Sequence, residues 1–114
     1  MATDSYRLTA TELLQTFDSG KLTVEEYAES VIRRIQSRDS AVKAWAYFSP
    51  AQVIEQAKAL DKVPRSQRGP LHGVGVAVKD VIYTKGTLNL LNGWSTEHVL
   101  TDSRHAYTAQ FSHL

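Results

Sequence analysis

Residues 69–79 read GPLHGVGVAVK, and Asp80 follows. From Gly73 to Lys79 the pattern predicts a β-strand, because side chains alternate between its two faces. Val74, Val76 and Val78 share one face, which is expected to be buried. Gly73, Gly75, Ala77 and Lys79 share the other, which carries almost no side chain before the lysine. A second backbone or a substrate can approach such a bare face closely. Desolvation disfavours a charged ammonium, and a neutral lysine is a competent general base. The alternative on spacing alone is a lysine that reaches solvent at a strand end and pairs with Asp80 or Asp61.

Upstream, the sequence marks three helix starts. Thr9 with Glu12 makes a capping box, with Leu8 placed to staple onto Leu13. Leu13, Leu14 and Phe17 continue as an apolar stripe that Gly20 ends. Thr23 with Glu26 repeats the device, and Tyr27, Ala28, Val31, Ile32 and Ile35 follow at helical spacing. Ser49, Pro50 and Gln52 open the third helix, which carries Val53, Ile54, Ala57 and Leu60 on one side. Between the second and third helices, AVKAWAYFS is either a short strand or an extended connection. Trp45, Tyr47 and Phe48 there are expected to pack rather than to form a ligand platform. A polar linker, DKVPRSQRGP, leads into the opening stretch.

Composition narrows the class. The chain has 114 residues, enough for one domain, with 42% hydrophobic and 22% charged residues. Thirteen basic and twelve acidic side chains leave a formal charge of +1, too little basic excess for a nucleic-acid or membrane-surface footprint. Without cysteine there is no disulfide, thiol nucleophile or thiolate-bound metal. No apolar run approaches the roughly 20 residues of a membrane span, and the first ten residues lack the core of a signal peptide. A cytoplasmic protein with no cofactor and no metal is the expectation. His98, His105 and His113 lack metal-ligand spacing, and Trp94 and Phe111 are expected to pack.

The run RGPLHGVGVAVKDVIYTKG resembles the N-terminal core motif of the amidase signature family, usually GPLHG-[VI]-P-[VI]-[AG]-VKD. The segment LTATELLQTFDSGKLTVEEYAESVIRRI and the later VKAWAYF are similar to that family's N-terminal region. The resemblance covers residues 8–85. It implies an α/β fold, of which this chain holds the N-terminal helices and the first core strand or strands, incomplete. It also implies amide-bond hydrolysis by a triad of a nucleophilic serine, a bridging serine in a cis peptide bond, and the lysine of VKD, here Lys79. Lys79 would take the proton that the bridging serine removes from the nucleophile, then return it to the leaving amine. Gly75 stands where the family usually has proline.

Both serines of such a triad belong to a later glycine- and serine-rich segment that is not among these residues. Ser95, Ser103 and Ser112 lie in no comparable context. The oxyanion donors of that loop are missing as well. The 114 residues alone are therefore expected to be catalytically silent.

After Lys85 the family usually continues Asp-Met-Pro-Thr, whereas this chain reads GTLNLLNGWSTEHVLTDSRHAYTAQFSHL. Back-translation suggests a cause. Codons 86 and 87 with the first letter of codon 88 permit a splice-donor-like GTACGT, codons 99 to 101 a branch-site-like CTAAC, and codons 103 and 104 an acceptor AG. Removing the interval shifts the frame, and RHAYTAQFSHL then becomes compatible with Asp-Met-Pro-Thr. Residues 1–86 are thus expected to be the front of an amidase domain. Residues 87–114 are expected to be an aberrant tail, intron-derived and frameshifted, with poor order.

Three functions remain open at this point. One is a truncated hydrolase whose complete form cleaves a small-molecule amide. Another is a non-catalytic binding protein, and the last is a nonfunctional product of mis-splicing. In each case the uncovered apolar strand is expected to favour self-association.

Overall fold

The structure is a computed structural model that describes residues 4–79 and, for the backbone alone, 107–111. Three helices, α1 (Ala10–Asp18), α2 (Val24–Val42) and α3 (Pro50–Asp61), precede or flank the strands of a small sheet, β1 (Trp45–Tyr47), β2 (Gly75–Lys79) and β3 (Tyr107–Phe111). It is a mixed helix-and-strand fold, and among the described residues the sheet is not closed.

Each helix begins where its cap residues place it. Thr9 and Thr23 both accept from the backbone N–H three residues on, while Glu12 and Glu26 reach back to the cap nitrogen at 2.8 Å. Ser49 caps α3, whose first residue is Pro50. The start of α2 has a second support from far along the chain. Asp61, at the end of α3, accepts from Val24 N at 2.8 Å and Glu25 N at 3.0 Å. Its negative charge also faces the positive end of the helix dipole. Asp61→Ala should cost about 1–2 kcal/mol, read as a lower urea midpoint at unchanged slope. A loss below a few tenths would mean water replaces the carboxylate at that helix end.

The capped helices bury one stripe each. Leu13 and Phe17 from α1 meet Val24, Tyr27, Ala28 and Ile32 from α2 and Val53, Ala57 and Leu60 from α3. Leu13, Val24 and Val53 lose almost all contact with water. Each such side chain contributes on the order of 1.5–3 kcal/mol. The Phe17 and Tyr27 rings lie 5.9 Å apart, tilted by 60°. Leu8 packs against the same core, as its position before the first cap predicts.

The second helix ends without a glycine. Lys43 adopts the left-handed conformation at φ 54°, and Asp39 accepts from the next backbone amide, Ala44 N, at 2.8 Å. The turn sends the chain into β1, so AVKAWAYFS contains a strand. Trp45, Tyr47 and Phe48 are half-buried, with the Trp45 and Phe48 rings 5.7 Å apart.

In the sheet the order is β1-β3-β2, with β1 parallel and β2 antiparallel to β3. Two expectations need correction here. The strand begins at Gly75 and not at Gly73, whose φ of +85° is incompatible with an extended strand. The valine face is not buried: Val76 is 43% exposed and Val74 and Val78 are half-buried, because no described element covers them. Of the stretch 87–114, only the β3 backbone is described. Trp94, Ser95, Ser103, Ser112, His98, His105 and His113 lie outside the described residues.

Candidate active site

The motif turn is held to the helical core residue by residue. Backbone bonds from His72 N to Gly69 O and from Val74 N to Leu71 O fold residues 69–74 back on themselves. His72 is 3% exposed, and its Nε2 lies 3.0 Å from the carbonyl of Leu60, in the last turn of α3. Gly73 lies against α1 and α2 so closely that an added Cβ would stand 2.7 Å from Val24 Cγ2 and 3.0 Å from Phe17 Cε2. The Tyr27 hydroxyl of α2 forms a hydrogen bond with the backbone of Gly75, the first residue of β2. Burial raises the Tyr27 pKa above its usual 10.0, and that backbone bond works in the opposite direction.

All three helices therefore grip the turn that launches β2. Composition of the motif explains why. Histidine supplies a ring nitrogen for a buried carbonyl, and glycine allows the left-handed turn at a site with no room for a side chain.

Four residues beyond Gly75 the strand ends at Lys79, which is half-buried. Its partner across the antiparallel ladder is Tyr107, which on its other side pairs with Trp45 of β1. Lys79 thus stands at one end of a row that crosses the whole sheet. Asp61, one of the two carboxylates weighed as its partner, commits both oxygens to the start of α2. The other, Asp80, lies outside the described residues.

An open groove of about 680 Å³ runs between α2 and α3, with an apolar floor that includes Ile32 and Ile54. A smaller cleft of about 270 Å³ borders His72, between Phe17, Asp18 and Arg65. Lys79 lines neither of them. Among the described residues there is no group of three or more side chains able to hold a metal ion. Nor is any helix among them long and apolar enough to cross a membrane.

The turn, strand and lysine fall inside a stretch that has known counterparts. A family model described as Amidase matches residues 26–90, more than half of the chain. The chain belongs to the amidase family. Over 82 residues it is 43% identical to the A subunit of the glutamyl-tRNA(Gln) amidotransferase of Symbiobacterium thermophilum, covering 69% of this chain and 17% of that protein. The protein of the same name from Streptomyces coelicolor is 35% identical over 98 residues, 80% of this chain and 20% of its own length. A Mycobacterium tuberculosis protein that carries an amidase name, AmiD, is 36% identical over 80 residues, 68% of this chain and 17% of that one. The amidase-family chain described here thus spans only a fifth or less of the length of these relatives. No solved structure matches it.

Sequence reasoning singles out Lys79 and misses Tyr27 and Asp61 as parts of the frame around it. Tyr27 reads as one more apolar position on the α2 stripe. Asp61 reads as a candidate ion-pair partner for Lys79, since nothing local shows that it caps a helix 37 residues earlier.

Proposed function

We propose that these residues are the N-terminal part of an amidase-signature hydrolase of small-molecule amides, in which Lys79 handles the proton. The observation that carries this reading is the placement of Lys79. It ends a strand whose neighbouring side chains on the same face, at Gly75 and Ala77, are absent or small, and whose start is clamped to three helices. In the complete enzyme Lys79 accepts the proton passed on by a bridging serine and returns it to the leaving nitrogen, so the product departs as a neutral amine and not as an amide anion. The nucleophile, the bridging serine and the oxyanion donors belong to sequence outside these 114 residues. The formal charge of +1 gives these residues no basic excess with which to hold a nucleic acid. The names of two relatives, each one subunit of an amidotransferase, support a protein partner for the complete enzyme.

This reading makes the 114-residue chain silent by itself. Purified and incubated with a panel of aliphatic and aromatic amides, it should release no ammonia above the buffer blank. Turnover that disappears in Lys79→Ala would overturn the division of the triad proposed here.

A further inference from the structure

The contacts that clamp the motif turn come from different helices. The turn is tied to the end of α3 through His72, wedged against α1 and α2 at Gly73, and bonded to the middle of the core through Tyr27. The His72 and Tyr27 contacts fall on consecutive stages of the path to Lys79, three residues apart along the chain. In a strand, a slip of one residue turns every side chain to the opposite face. Anything that fixes Gly75 against the core therefore fixes which face of β2 Lys79 occupies and how far along it stands.

We propose that Tyr27 and His72 are positioning residues for Lys79, setting the register of β2 against the helical core. The proposal rests on the reading of Lys79 as the proton carrier. Tyr27 acts through its hydroxyl, because its ring is already provided for by packing with Phe17. His72 acts through Nε2, which a glutamine amide can imitate by donating to the same carbonyl.

Amide hydrogen exchange on the intact 114-residue chain tests the geometry. Tyr27→Phe should speed exchange at Gly75 about tenfold, the effect of one lost hydrogen bond of ordinary strength, and leave Val53 and Ala57 within twofold. Unchanged exchange at Gly75, or equal acceleration throughout α3, would overturn the proposal. A chimera tests the consequence for chemistry: residues 8–85 replace the matching segment of a complete amidase-family hydrolase with measurable turnover. Tyr27→Phe and His72→Ala should lower kcat by about tenfold with KM within twofold, and His72→Gln should recover most of the loss. Full kcat in both variants while Lys79→Ala is inactive would refute the positioning role alone. Full kcat in Lys79→Ala would refute the reading of Lys79 itself.

Discussion

Gly73→Ala is expected to be the most damaging single methyl group that can be added to the described part of the chain. Two costs fall on one residue. A non-glycine side chain at φ +85° is strained by about 1–3 kcal/mol. The new Cβ would also press on Val24 at 2.7 Å and on Phe17 at 3.0 Å. Both neighbours are locked in the core, 2% and 6% exposed, so neither can swing aside. Overpacking at such a site adds about 1–3 kcal/mol, for a total of about 2–6 kcal/mol. Gly20 provides the control. Its φ is +73°, yet nothing lies within 4 Å of the position its Cβ would take. Gly20→Ala should therefore cost only the left-handed backbone penalty of about 1–2 kcal/mol. Urea unfolding of the two variants separates the effects, and equal midpoints would show that α1 and α2 do not close on the motif turn as described.

Much of this fold is legible in the sequence because it is built from local chemistry. Thr9 with Glu12, Thr23 with Glu26, and Ser49 before Pro50 announce three helices through contacts three residues apart. What the sequence hides depends on distance along the chain. Asp61 capping α2 and Tyr27 meeting Gly75 have no signature, because each partner looks ordinary until the chain folds. The valine face misleads for a related reason. Alternation in VGVAV shows which side chains share a side, but whether that side is covered depends on elements elsewhere, and Val76 remains 43% exposed. Gly73 reads as part of the strand because smallness has two uses. It can leave room for a neighbour or permit a left-handed turn, and here it does both. Lys79 is identified through the motif rather than through any periodicity. The reading of residues 87–114 as intron-derived concerns the gene, and sequencing DNA and transcript across codons 86 to 104 decides it.

The second large effect concerns that lysine. In the complete enzyme, removing a general acid–base group costs about 10²–10⁴-fold in rate. A lysine that serves only as a structural cation behaves differently, since arginine can replace its charge. Arginine cannot replace a proton carrier, because its guanidinium does not deprotonate in a protein. The pair of substitutions thus separates chemistry from packing at a half-buried position.

The most direct measurement is the kcat of the chimera carrying residues 8–85, compared among Lys79, Lys79→Ala and Lys79→Arg. The account predicts that both variants lose about 10²–10⁴-fold in kcat while substrate binding is retained. Turnover restored by arginine, or kept by alanine, would contradict the assignment of Lys79 as the proton-handling residue of this amidase-family chain.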